Sequence, residues 1–213
     1  MNHEFDFALT TYCQARCRSC ARTNEDTGEK VDWLELKHMD FDLYKHRVEA
    51  SRLFANPDNV RVTFCGEFGD PMMHPHVNDF IEYTAPRVKE LVVNTNGGLR
   101  QPDWYAQLGP KWKHLRINWG IDGTDADTND MYREGVNFER AMDNMCAWFG
   151  NDGHGEWQFL IFDWNWHQIV EAHEIAEEYN IPVRFKFNNR GFGLITPDNK
   201  KSAYDLLRSI DAI

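Results

Sequence analysis

The chain has 213 residues, 42% of them hydrophobic, eight tryptophans and a formal net charge of -11. That is enough apolar material for one well-buried domain, and it excludes an intrinsically disordered chain. The acidic balance argues against nucleic acid as a partner across a whole face, and no apolar run approaches membrane-span length. The start, Met1-Asn2-His3-Glu4, lacks the charged and apolar segments of a secretory leader. Five cysteines, three of them crowded together, suit a metal site in a reducing compartment better than a disulfide framework. A cytoplasmic protein with one domain over residues 1–213 is expected.

Taken in order, the chain opens on an alternating apolar run, 5–12, that reads as a strand. It leads directly into Thr11-Tyr12-Cys13-Gln14-Ala15-Arg16-Cys17-Arg18-Ser19-Cys20, a C-x3-C-x2-C triplet. A long polar segment, 24–39, follows as a loop beside the triplet. A helix is expected over 41–54, a strand over 59–64 and a turn rich in glycine and proline over 66–75. Then come a helix over 77–85, a strand over 90–94 ending in Thr95-Asn96-Gly97-Gly98, and a helix over 102–108. A strand over 114–119 and a helix over 138–149 continue the pattern. The last pairs are a strand over 156–162 with a helix over 167–179, and a strand over 182–187 with a helix over 202–210. Strand–helix alternation at this spacing predicts an α/β fold with a parallel sheet and right-handed crossovers. Either a doubly wound open sheet or a partial barrel satisfies it, and both gather functional groups at the C-terminal ends of the strands.

Cys13, Cys17 and Cys20 stand where either fold places a site. Three thiolates on one short loop can grip three corners of an iron–sulfur cube, and the missing fourth ligand leaves one iron open. The competing reading is a zinc ion completed by His38 or His74. Cys65 and Cys146 are isolated and receive no ligand role. In the 66–75 turn, glycines let the backbone approach a ligand, and its carbonyls can accept from an ammonium group. Thr95 and Asn96 either orient a ligand or cap a turn. Asn118 and Gly120 share one face of their strand. Arg16, Arg18 and Arg22 flank the cysteines in an otherwise acidic chain, which suggests a docking patch for an acidic electron donor.

The triplet has the spacing of the radical S-adenosylmethionine (SAM) superfamily, which the chain resembles over roughly residues 5–190. Gly69-Asp70-Pro71-Met72-Met73-His74-Pro75 is similar to that family's Gly-Gly-Glu-Pro turn, with Asp for Glu. The resemblance implies a partial (β/α)6 barrel, the radical SAM core, binding a [4Fe-4S] cluster and SAM. It implies that Gly69 and Asp70 hold the SAM amino group and that Arg133, about ten residues past Ile121-Asp122-Gly123, meets the SAM carboxylate. The competing role for Arg133 is an ion pair with Glu134 or Asp130. Gly120 stands where the family has Ser, and Asn118 is the candidate substitute. Asn165 is the candidate for reading adenine, with Phe162 or Trp164 to stack. Ser19 replaces an aromatic residue common before the third cysteine.

The activity implied is reductive cleavage of SAM to a 5′-deoxyadenosyl radical that abstracts hydrogen from a substrate, driven by a one-electron donor such as flavodoxin or ferredoxin. The downstream Arg leans toward enzymes that modify peptides or proteins. Those carry a cysteine-rich C-terminal extension, and no cysteine follows Cys146 here. Compact members of nucleobase or cofactor synthesis and glycyl-radical activation are the alternative within the family. A noncatalytic iron–sulfur or zinc module is the alternative outside it.

Overall fold

A computed structural model describes residues 3–212; Met1 and Asn2 of the leader reading, and Ile213, lie outside the described residues. Six strands form one sheet: β1 His3–Phe7, β2 Val60–Phe64, β3 Glu90–Thr95, β4 Leu115–Gly120, β5 His154–Ile161 and β6 Val183–Phe187. Every neighbouring pair is parallel, and their order in the sheet is the order in the chain. That order settles the choice left open by alternation. A doubly wound sheet reverses direction at a switch point, so that helices cover both faces. Here every crossover advances the same way, and right-handed connections then put all helices on one side. The uncovered face must curl inward, which gives a partial (β/α)6 barrel.

The strands alternate accordingly. Val62, Phe64, Leu91, Ile117, Trp157 and Phe159 are fully or almost fully buried toward the helices. Their neighbours Asn94, Asn118, Gln158 and Lys186 line a cavity inside the curl. The helices are α1 Phe41–Ala50, α2 Val77–Thr84, α3 Pro102–Leu108, α4 Ala126–Asp130, α5 Phe138–Phe149, α6 Ile169–Glu178 and α7 Pro197–Ser209. Tyr44 of α1 shows why the helical layer stays put. It packs edge-on against Phe7 with ring centroids 5.1 Å apart and bonds Thr84 of α2 through its hydroxyl at 2.8 Å. Among the described residues no helix is long and apolar enough to cross a membrane.

Three boundaries depart from expectation by more than two residues. The first strand ends at Phe7, not at the cysteines, because residues 9–11 leave the sheet to pair with 37–39. Met39 N donates to Leu9 O at 2.8 Å and Thr11 N to Lys37 O at 3.0 Å. The first helix stops at Ala50, and Arg52 takes a left-handed φ of 54° before a short 3-10 turn, Leu53–Ala55. The last helix begins at Pro197, since the Thr196 side chain accepts from Asn199 N and proline suits the first helical position.

Candidate metal and cofactor site

A cavity of about 910 Å³ opens at the C-terminal ends of the strands, lined on one side by Cys13, Cys17 and Cys20. The cysteine loop is held from beneath by Arg22, which is buried. Its Nη1 donates to the carbonyls of Cys13 and Ala15, both at 3.1 Å, and its Nη2 to that of Thr11 at 3.4 Å. The Cys20 thiol lies 3.7 Å from the Glu67 carbonyl, tying the loop to the turn after β2. Gly69 closes that joint: a Cβ there would sit 2.3 Å from Thr10 O and 2.6 Å from Tyr12 O. Only glycine lets the two segments touch.

These contacts take Arg22 out of the three-arginine docking patch that the sequence suggests. Arg22 faces inward onto backbone carbonyls, and Arg16 is ion-paired with Glu134. Arg18 lies over the Phe192 ring at 5.6 Å.

The donor set fits a cluster better than a single ion. Among the described residues no three His, Cys, Asp or Glu side chains converge on one point as a lone metal ion requires. A cube instead takes one thiolate at each of three separate irons. The two histidines of the zinc reading are engaged elsewhere. His38 stacks on Tyr12 at 4.6 Å and bonds Thr10 Oγ1 at 2.9 Å. His74 bonds Met39 O through Nε2 at 2.9 Å and receives His76 N on Nδ1 at 3.1 Å. Burial pushes the Cys13 thiol up to about 12 and raises Cys17 as well. Without metal these sulfurs hold their protons, so loading releases them.

Beside Cys17, and packed over Gly120 of β4, stands Arg133, whose charge works against the burial that raises that thiol. Its Nε donates to the fully buried Asp122 at 2.6 Å. Asp122 also accepts from Leu160 N at 2.8 Å. Burial raises the Asp122 pKa while Arg133 lowers it, and Arg133 itself is raised by Asp122 despite its own burial. The pairing is thus with Asp122, not with Glu134 or Asp130. Gly120 makes room for the guanidinium: a Cβ there would meet Arg133 Nη2 at 2.7 Å. The absence of the family's Ser at 120 follows from that approach.

The other candidates divide. Asn118 faces the cavity, its Nδ2 on Asn94 Oδ1 at 3.0 Å. Asp70 also borders the cavity, yet its carboxylate is already filled. It accepts from Thr95 Oγ1 at 3.0 and 2.9 Å, from Asn96 N at 2.8 Å and from Met72 N at 2.9 Å. The Asp70 backbone is engaged too, its N–H on Tyr12 O and its carbonyl accepting from Met73 N, both at 2.9 Å, which leaves the Gly69 carbonyl for a ligand. Asn96 lies beside Cys13, its Nδ2 3.7 Å from Sγ.

Asn165 does not reach the cavity. It is fully buried, donates from Nδ2 to Asp122 O at 2.9 Å and Leu160 O at 2.8 Å, and accepts from Phe162 N at 2.7 Å. Both amide N–H groups and one lone pair of Oδ1 are thus spent on the end of β5, which turns this side chain from ligand reading to holding the strand end. Phe162, fully buried, and Trp164 stack on each other at 4.6 Å and 7°, which occupies one face of each ring, and neither lines the cavity.

Sequence reasoning missed Asn94, Gln158 and Lys186, which line the cavity from β3, β5 and β6. Their signal was the polar half of each strand's alternation. Ser19 has contacts that the sequence does not announce. Its Oγ accepts from Phe192 N at 3.2 Å and its carbonyl from Arg190 Nη1 at 3.4 Å, so it ties the cysteine loop to the β6 exit.

No family model matches the chain. The antilisterial bacteriocin subtilosin biosynthesis protein AlbA of Bacillus subtilis (strain 168) is 23% identical over 127 residues, 60% of this chain and 26% of AlbA. Streptococcus suis SuiB bound to S-adenosylmethionine superposes with a TM-score of 0.69 at 15% identity, covering 98% of this chain and 48% of SuiB. A structure of anSMEcpe with bound AdoMet gives 0.72 at 12% identity, covering 97% of this chain and 58% of that one. SuiB is also seen with its precursor peptide SuiA, and anSMEcpe with AdoMet and the Cp18Cys peptide. The chain therefore spans about a quarter of AlbA's length and about half of SuiB's. These likenesses show the fold, a partial barrel of six parallel strands, and this chain sets its C-x3-C-x2-C triplet at the mouth of it.

Proposed function

We propose that the chain binds a [4Fe-4S] cluster through Cys13, Cys17 and Cys20, binds SAM beside it, and acts as a radical SAM enzyme. One observation carries the reading. The three thiols and the Arg133 guanidinium line one cavity, and the cation is held there by a buried carboxylate. Bound together, cluster and SAM supply the reductive cleavage that yields a 5′-deoxyadenosyl radical. The chain's own work is to bind, orient and exclude water. Arg133, locked at Nε, offers its Nη side to the SAM carboxylate. The backbone carbonyl of Gly69 offers an acceptor to the amino group, with Asp70 fixing the turn through Tyr12 and Met73. Asn118 and Asn94 supply amide contacts within the barrel.

The substrate proposed is a peptide or protein. The peptides seen with SuiB and anSMEcpe, and the bacteriocin assignment of AlbA, support it. A flavodoxin or ferredoxin in a reducing cytoplasm is the proposed electron source. The test is anaerobic reconstitution followed by dithionite and SAM. About four irons per chain and release of 5′-deoxyadenosine are expected. One zinc per chain, or a loaded cluster that leaves SAM intact, would sink the proposal.

A further inference from the structure

Asn96 ends β3 beside the cysteine loop, and its side chain is oriented by its neighbours. Its Oδ1 accepts from Gln14 Nε2 at 2.6 Å and from Gly98 N at 3.0 Å. With two donors on the oxygen, the amide has one arrangement, and Nδ2 is left to point at Cys13 Sγ, 3.7 Å away. Asn96 is 5% exposed, so no water competes freely for that N–H. Its backbone N–H meanwhile donates to Asp70 at 2.8 Å. One residue thus stands between a buried carboxylate and a sulfur ligand, presenting an N–H to each.

We propose that Asn96 is a positioning residue for the electron-transfer step, an N–H···S donor that sets the reduction potential of the cluster through Cys13, and not a SAM contact. The inference rests on the cluster reading above. An N–H donated to a thiolate withdraws electron density from it. The bond is stronger when the cluster has gained an electron, because the sulfur is then more negative. It therefore favours the reduced state. Asp70, also close to Cys13, acts in the opposite sense as a nearby negative charge, and Asn96 N is among the donors that offset it. Asn96 has no acceptor left for SAM, since Oδ1 already receives two hydrogen bonds.

The test compares the reconstituted wild-type chain with Asn96→Leu, a neutral change of similar size, by EPR-monitored redox titration without SAM. Iron and sulfide are assayed in both samples. The variant's midpoint potential is expected to be more negative. The reduction constant should fall by up to about tenfold, which is about 59 mV for one electron. An equal or more positive potential at full iron content overturns the proposal, as would an effect that appears only when SAM is present. Where Asn96→Leu retains no iron, the wild-type chain grown with 15N-asparagine decides. Pulsed EPR of its reduced cluster is expected to show a 15N coupling, and its absence overturns the proposal. A wild-type chain that takes up no iron at all overturns both this inference and the functional reading, and iron analysis tells that outcome from the others.

Discussion

Asp122 is a carboxylate with no solvent exposure, and its ionised form is tolerable only because Arg133 Nε lies 2.6 Å away. Breaking such a pair leaves a buried charge uncompensated, which costs about 3 kcal/mol or more. Asp122→Leu should lose about that much in urea denaturation, and should also lose SAM binding as the guanidinium drifts. A variant within about 1 kcal/mol of wild type that still binds SAM would show that Arg133 is placed by something else. Gly120→Ser tests the same locus from the other side. Although it restores the family's residue, its Cβ would crowd Arg133 Nη2 at 2.7 Å. Equilibrium dialysis should show SAM affinity reduced about tenfold, equivalent to about 1.4 kcal/mol; tighter binding would contradict the packing described. At this scale the C-x3-C-x2-C triplet was legible because its three cysteines share one short segment. Asn165 and Asp70 were not. A polar side chain reads the same in sequence whether it faces a ligand or is consumed by backbone donors from distant strands.

Most helices announced themselves through spacing and turn residues; α3 and α5 run from Pro102 to Leu108 and from Phe138 to Phe149, as the sequence predicts. The short α4 did not, because five residues give no periodicity to read. Its stability comes from a cap. Asp125 accepts from Thr128 N at 2.8 Å, from Thr128 Oγ1 at 2.9 Å and from Gln168 Nε2 at 2.7 Å. These bonds, the Thr128 N–H foremost, hold its carboxyl below the usual aspartate range. A depressed folded pKa stabilises above the unfolded value, about 3.9, and that contribution fades as pH falls through the depressed one. Amide exchange across 126–130 should therefore quicken below about pH 4. Asp125→Asn should flatten that acid response while keeping the cap. An unchanged acid response in the variant would assign it to another group.

At the scale of the molecule, the barrel is incomplete and polar side chains, among them Asn94, Asn118 and Gln158, line its interior. Toward the N-terminal ends of the strands, charges alternate in sign. Arg61 faces Glu4 at 3.6 Å and Glu90 at 2.9 Å, Arg116 lies 3.5 Å from Glu90, and Arg184 lies 2.8 Å from Glu156. Such partly exposed pairs contribute little each, but they keep the lumen polar where a full barrel packs apolar layers. The seam between β1 and β6 is bridged above the sheet by the Ser19–Phe192 contact. Ser19→Ala removes that acceptor, worth about 1 kcal/mol. Exchange of the Phe192 amide should then accelerate about fivefold with the sheet unaffected. Equal rates in variant and wild type would mean that the seam is closed by other contacts.

The amino-acid order by itself determined the strand–helix alternation, the parallel sheet and the C-x3-C-x2-C triplet. Each depends on interactions between residues near one another in the chain: side-chain periodicity, turn chemistry and ligand spacing. Only the tertiary structure decided that the sheet winds one way and curls. It also decided that Arg133 is locked to Asp122, that Asn165 and the Phe162–Trp164 stack turn away from the cavity, and that Asn96 faces a cysteine sulfur. Those outcomes depend on which buried polar group finds which partner. In this fold the partners come from strands and loops far apart in sequence, joined where the strand ends converge.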